Sequence, residues 1–150
     1  VVHFQGGDLE KEYNRFNAVL EKTEAKADEV RKRIRAVKDV SEALFKEWRS
    51  EIKQYSSDRL QQASQEKYDL TREKYEQLIA AMKTAESRLE PALIPLRDQV
   101  LFMKHNLNAR AIASLSGEVV SVQTNVDQLV REIEEAVARA DSFIASLQAE

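Results

Sequence analysis

The apolar residues in the first third of the chain recur at alternating spacings of three and four residues. The series is Leu9, Tyr13, Phe16, Leu20, Thr23, Ala27, Val30, Ile34, Val37, Ser41, Leu44 and Trp48, then Ile52 and Tyr55 after a slip of one residue. Only Thr23 and Ser41 in this series are polar. A mean repeat of 3.5 residues keeps an apolar seam facing a neighbouring helix, and it is typical of long helices packed as a coiled coil.

Two further seams follow along the chain. The second is Leu60, Ser64, Tyr68, Thr71, Tyr75, Leu78, Met82, Ala85, Leu89, Ala92 and Leu96, then Val100, Met103 and Leu107 after a slip. The third is Ile112, Leu115, Val119, Val122, Val126, Leu129, Ile133, Val137, Ala140, Ile144 and Leu147. The three seams predict helices over about residues 8–55, 58–104 and 108–149, with residues 1–7 as a tail from a missing upstream segment.

Pro91 and Pro95 fall inside the second predicted helix. Proline removes a backbone donor and its ring crowds the preceding turn, so a helix either kinks or stops there. The seam keeps its phase across Pro91, and this favours a kink, because a loop would be free to lose the register. We therefore expect one bent helix, with the bend confined to about residues 87–95.

Few residues in this chain can end a helix. Asp8 is the predicted N-cap of the first helix, and Ser56-Ser57-Asp58 predicts the first turn. The second turn has two candidates, one at Asn106 and Asn108 and one at Ser116-Gly117. A turn near Asn106 gives helices of about 48, 48 and 42 residues, which match as antiparallel neighbours, so it is the favoured alternative.

These elements predict an all-α fold in a single domain covering residues 1–150. Its architecture is an elongated antiparallel three-helix coiled-coil bundle with a Pro-kinked second helix. Val19, Val40, Phe45 and Ile79 flank the seams and make the apolar stripe wider than strict coiled-coil positions. A stripe of this width suits a three-helix core, or a surface that a further helix or a second copy covers.

Composition narrows the classes of function. The chain has 23 basic and 26 acidic residues interspersed along its length, with a net charge of −3 and a pI near 5.6, which argues against a nucleic-acid partner. It contains no cysteine, so disulfides and thiolate chemistry are excluded. No apolar run reaches the roughly 18 residues of a membrane span, so we expect membrane attachment only through an upstream anchor. Because the chain starts at Val1, we expect a processed or truncated product.

No catalytic or cofactor motif occurs, so we predict neither an enzyme nor a cofactor. His3 and His105 are the only histidines, and His105 has Phe102, not a carboxylate, three residues before it, so no metal site is predicted. Trp48, Tyr55, Tyr68 and Tyr75 have helical spacing on or beside the seams; core packing is their expected role, and a ligand cage is the alternative. The spacing of these aromatic residues therefore does not by itself predict a ligand-binding site.

One segment, at the proposed second turn, does not follow the heptad pattern of the seams. Its polar residues Lys104, His105, Asn106, Asn108 and Arg110 form a candidate partner-binding tip. Capping by the two asparagines, with solvated Lys104 and Arg110, is the structural alternative. Up-down-up packing would place this tip near the start of the first helix.

Two runs of the sequence resemble signatures of an uncharacterised family. The first is Ala43-Leu44-Phe45-Lys46-Glu47-Trp48 with Glu51 and Tyr55, and the second runs from Arg97-Asp98-Gln99-Val100-Leu101 to Lys104-His105-Asn106-Leu107-Asn108-Ala109-Arg110-Ala111-Ile112. The segment Gly6-Gly7-Asp8-Leu9, at the start of the first seam, resembles the same family as well. The family is a domain of unknown function found mainly in Gram-negative bacteria. The resemblance implies an upstream secretion or lipoprotein signal and a location in the cell envelope or periplasm, and it implies no activity.

The sequence therefore favours a non-enzymatic helical structural or interaction protein of the bacterial cell envelope, with a protein partner or self-association. The alternative is a peripheral membrane-surface scaffold resembling the phage-shock-type helical proteins. Such scaffolds use a basic face or an amphipathic insertion helix, and the interspersed charges of this chain predict neither.

The long helices lead to a prediction about the overall dimensions in solution. A compact domain of 150 residues has a radius of gyration of about 15 Å. Three packed helices, each about 70 Å long at 1.5 Å per residue, should exceed about 20 Å. Small-angle X-ray scattering of the protein measures this quantity directly, and a value near the compact one would contradict the long-helix prediction.

Overall fold

The computed structural model of the protein describes residues 6–148, and the side chains of these except residues 6–8, 114–116 and 148. Over this range the chain forms α1 (Gly6–Ile52), α2 (Asp58–Glu86), α3 (Leu89–His105) and α4 (Ala109–Gln148). No strand occurs in the described range, so the predicted all-α class is confirmed. Of the predicted tail, residues 1–5 lie outside the described residues.

The directions of the helices follow from contacts that join distant residues. As the residue number in α1 rises, that of its partner in α2 or α3 falls: Trp48 contacts Ser64, Glu42 contacts Arg72, Arg31 contacts Glu90 and Glu24 contacts Arg97. The same inverse relation links α2 and α3 to α4, through Lys74 with Phe143 and Gln99 with Glu118. The chain therefore runs up in α1, down in α2 and α3, and up in α4. Supercoiling of these helices stays a prediction.

The seams form the core of this bundle. Both polar members of the first seam, Thr23 and Ser41, are buried with their apolar neighbours. The Thr23 hydroxyl donates a hydrogen bond of 2.7 Å to the Val19 carbonyl, which satisfies it inside its own helix. Of the residues that widen the stripe, Phe45 and Ile79 are buried and Val19 packs against the core, while Val40 is 46% exposed. Three of these four side chains are thus covered within one chain.

The second predicted helix is divided in two. α2 ends at Glu86 and α3 begins at Leu89, and the intervening Ser87 and Arg88 keep right-handed helical φ and ψ. Pro91 then lies in the first turn of α3, where a backbone N–H has no intrahelical acceptor and its absence costs little. The expectation of one bent helix over 58–104 is corrected to two consecutive helices, and a kink at the prolines is not confirmed. Pro95 is accommodated inside α3.

The helix ends differ in detail from the expected ones. α1 already begins at Gly6, so Asp8 lies within the helix and not at its N-cap position; the Asp8 side chain is outside the described ones. α1 ends at Ile52, three residues before Tyr55. The second turn lies at residues 106–108, the alternative favoured by matched helix lengths, and Gly117 is inside α4.

We predict that Gly117→Ala stabilises the protein. Gly117 is helical and exposed, its φ is not positive, and a Cβ built there has no atom within 4 Å. Because glycine in a helix interior costs about 0.5–1 kcal/mol relative to alanine, the free energy of unfolding in urea should rise by about that amount. The matched control is Ala145→Gly at an exposed position of the same helix, which should lower it similarly. A neutral or destabilising Gly117→Ala would contradict the prediction.

Candidate functional site

The five predicted tip residues lie together at the turn between α3 and α4. Lys104 and His105 end α3, Asn106 and Asn108 belong to the turn, and Arg110 is in the first turn of α4. The core beneath this turn is one buried cluster that includes Phe16 of α1, Met103 of α3 and Ile112 of α4. The turn therefore lies at the end of the bundle where α1 begins.

The two asparagines of the turn act as helix caps. The Asn106 side chain donates a hydrogen bond of 2.9 Å to the Phe102 carbonyl at the end of α3. The Asn108 side-chain oxygen accepts a hydrogen bond of 2.8 Å from the backbone N–H of Ala111, which is an N-cap contact for α4. These bonds satisfy backbone groups that a helix end leaves without partners. The side chains of Asn106 and Asn108 are thus engaged in the turn itself.

Lys104, His105 and Arg110 are the exposed basic side chains of this turn, and none forms an ion pair with a described residue. Three large apolar side chains are exposed beside them: Leu101 at 57%, Phe102 at 51% and Leu107 at 41%. We call these six residues the basic tip. Sequence reasoning assigned Leu107 to a seam, but α3 ends at His105 and leaves Leu107 outside the helix.

A second surface is found at the opposite end of the bundle, where α1 and α2 form a hairpin. It is a cleft of about 660 Å³ between α1, α2 and Leu147 near the end of α4. The lining residues are Leu44, Phe45, Glu47, Trp48, Glu51, Tyr55, Leu60, Ala63, Ser64, Lys67 and Leu147. We call it the hairpin cleft. Its volume is in the range of about 300–1,000 Å³ that is typical of ligand sites.

Aromatic packing fixes the floor of the hairpin cleft. The Trp48 ring lies nearly parallel to Phe45, with centroids 6.4 Å apart, and meets Tyr68 edge-on at 5.4 Å. Its indole N–H donates a hydrogen bond of 3.1 Å to the Ser64 hydroxyl of α2. Tyr55 and Leu60 remain 45% and 43% exposed at the rim. The floor is thus held by a rigid aromatic cluster, while the rim offers apolar surface to solvent.

The hairpin cleft was missed as a site by sequence reasoning, which expected the aromatic residues in the core. That expectation is confirmed for Tyr68 and Tyr75, which are buried, but Tyr55 is largely exposed. A signal was available, because six residues of the first signature run line the cleft, namely Leu44, Phe45, Glu47, Trp48, Glu51 and Tyr55. Helical spacing alone did not separate these positions from core positions, since both recur on one face.

The groups with displaced pKa values hold the helices together. Arg72 forms two hydrogen bonds of 3.0 and 3.1 Å with the Glu42 carboxylate across the α1–α2 contact, and this lowers the pKa of Glu42. Burial raises the pKa of Tyr75 to about 12. Hydrogen bonding to Arg97 lowers the pKa of Glu90 on α3. None of these groups belongs to the basic tip or lines the hairpin cleft.

The described residues contain no group of three or more histidine, aspartate or glutamate residues placed to hold a metal ion. No helix in the described range has the length and apolar character needed to cross a membrane. His105 is exposed on the basic tip, and His3 lies outside the described residues.

Comparison with protein families matches residues 1–147 to the family described as "Protein of unknown function (DUF2959)". The match covers nearly the whole chain, including both signature runs, the basic tip and the hairpin cleft. Comparison with curated proteins and with solved structures gives no match.

The capping contacts predict how substitutions at the turn affect stability. Asn108→Ala removes the acceptor of the Ala111 N–H, so the free energy of unfolding should fall by about 1 kcal/mol. Lys104→Ala and Arg110→Ala should change it by less than about 0.5 kcal/mol, because both side chains are exposed. Urea unfolding followed by circular dichroism measures all three variants. Equal losses in the three would show that Asn108 has no special role in the turn.

Proposed function

Since the chain belongs to the DUF2959 family of proteins of unknown function, we propose that it is a non-enzymatic helical structural and interaction protein of the bacterial cell envelope. It binds a protein partner through the basic tip. The envelope location is supported by the resemblance of the two signature runs, which implies an upstream secretion or lipoprotein signal.

The observation that carries this proposal is the composition of the basic tip. Large apolar side chains with 41–57% exposure lie within a few residues of Lys104, His105 and Arg110. Exposed apolar residues rimmed by charge are typical of interaction surfaces. Residues 99–117 contain no acidic residue, although the chain has 26. The segment therefore differs from the interspersed charge pattern elsewhere and suits an acidic partner surface.

The long bundle supports a spacer role. α1 contains 47 residues and therefore spans about 70 Å at 1.5 Å per residue. Supercoiling of the helices as a coiled coil, which the seams predict, would stiffen such a spacer. In this arrangement the bundle holds the basic tip at a fixed distance from whatever contacts its other end.

The composition of the basic tip also fits a second function, that of a peripheral membrane-surface scaffold resembling phage-shock-type helical proteins. Leu101, Phe102 and Leu107 beside basic side chains are also the composition that inserts shallowly into an anionic lipid surface. Co-sedimentation with vesicles of phosphatidylglycerol and phosphatidylethanolamine distinguishes the two functions. A protein-binding tip should leave the chain in the supernatant, whereas a lipid-binding tip should pellet it.

We predict that Lys104→Ala with Arg110→Ala abolishes partner binding without changing stability. Both charges are exposed, so their removal should leave the unfolding transition in place. The measurement is cross-linking in native envelope fractions, followed by recovery of the cross-linked partner. The matched control is Lys32→Ala with Arg139→Ala, which removes two exposed basic side chains away from the tip. If the tip variant and this control recover the same partners in equal yield, the tip is purely structural.

A further inference from the structure

The two exposed surfaces at opposite ends of the bundle are complementary. We propose that the basic tip of one copy of this chain docks into the hairpin cleft of a second copy, head to tail. This inference rests on the proposed function, since it names the partner of the same tip.

The cleft has two carboxylates on its α1 side, next to an apolar floor, and Lys67 of α2 also lines it. Glu47 and Glu51 on the α1 wall are exposed, and neither forms an ion pair among the contacts of the described chain. The half-buried Trp48, the exposed Tyr55 and the exposed Leu60 of α2 line the same cleft. This arrangement is complementary to a bound segment that has apolar side chains at its centre and basic side chains at its edge.

The basic tip has that composition. Phe102, Leu101 and Leu107 are the exposed apolar side chains, and Lys104 and Arg110 carry the flanking positive charges. On the adjacent start of α1, Glu12 is neutralised by Arg15 at 2.8 Å. A cleft of about 660 Å³ has room for several such side chains. Apolar contact and opposite charge therefore coincide when tip and cleft meet.

The two surfaces of one chain cannot meet each other. The tip core contains Phe16 of α1, whereas the cleft is built around Trp48 of the same helix. The 32 residues between these positions correspond to about 48 Å of helix at 1.5 Å per residue. The contact must therefore form between copies.

Charge also selects the kind of contact between copies. Two clefts facing each other would bring Glu47 and Glu51 of both copies together, and two tips would oppose Lys104 and Arg110 in the same way, which is unfavourable. A contact between the tip of one copy and the cleft of another brings opposite charges together. Such a heterologous contact leaves one free tip and one free cleft, so it continues as an open chain of copies unless a rotation closes it.

The experiment uses charge reversal at each end separately. The tip variant carries Lys104→Glu and Arg110→Glu, and the cleft variant carries Glu47→Lys and Glu51→Lys; all four positions are exposed. Sedimentation velocity is measured in a concentration series up to about 1 mM. The native chain should form dimers and longer chains, and each variant alone should remain a monomer.

Mixing the two variants gives the decisive result. The cleft variant keeps a native tip and the tip variant keeps a native cleft, and the reversed tip and the reversed cleft also carry opposite signs. A one-to-one mixture should therefore form dimers and longer chains in which the two variants alternate. A chain with all four reversals restores opposite signs and should form long chains again. Trp48 is the only tryptophan, and its emission should shift to the blue when a tip covers the cleft. The shift should appear in the mixture and be absent in either variant alone.

Several results would overturn the inference. They are a native chain that stays monomeric throughout the series, variants that associate as the native chain does, and a mixture that stays monomeric. The second result would indicate a different contact between copies, and the third would show that opposite charges at tip and cleft do not join them. These outcomes are separate from the proposed function, because cross-linking in the envelope recovers any protein bound at the tip, whether it is a second copy of this chain or a different protein. A monomeric native chain that still loses its cross-linked partner on Lys104→Ala with Arg110→Ala would leave the proposed function standing.

Discussion

Mutual burial of three apolar seams is the interaction on which the rest of this structure depends. A single long helix cannot shield an apolar stripe from water, and most helical stability in proteins comes from packing of that stripe. Here the seams of α1, α2 with α3, and α4 meet along the whole bundle. Every other feature is placed by this packing. The turns fall where the seams end, and the two candidate binding surfaces lie at the two ends of the bundle.

The helices and their partners could be predicted from the sequence because periodicity reports directly on which face is buried. The aromatic residue Phe45, off the strict seam, shows the limit of that reasoning: it is fully buried because Tyr68 and Tyr75 of α2 pack around it. The division at Ser87 and Arg88 was not predicted, since a two-residue step with helical φ and ψ leaves the phase of the seam nearly unchanged.

The candidate sites were predictable only in part, for a related reason. The basic tip was identified by its polar residues, but the exposure of Leu101 and Phe102 depends on which side of α3 faces α1 and α4, and this is a tertiary property. The roles of Asn106 and Asn108 as caps follow from local turn chemistry and were foreseen as an alternative. The hairpin cleft depends on where Leu147 of α4 lies relative to Trp48, which no local pattern encodes.

The core of the bundle consists of two clusters of unequal size, and this has a consequence for motion. The cluster around Phe45 and Tyr75 contains 19 buried residues among those described, whereas the cluster beneath the basic tip contains six, and Val122 packs against both. Local opening requires less free energy where fewer apolar contacts are broken. The tip end therefore opens more often than the hairpin end, on the timescale of amide hydrogen exchange. A partner bound at the basic tip would suppress this opening. The exchange of backbone amide hydrogens in the first turns of α1 and α4 would then be slower.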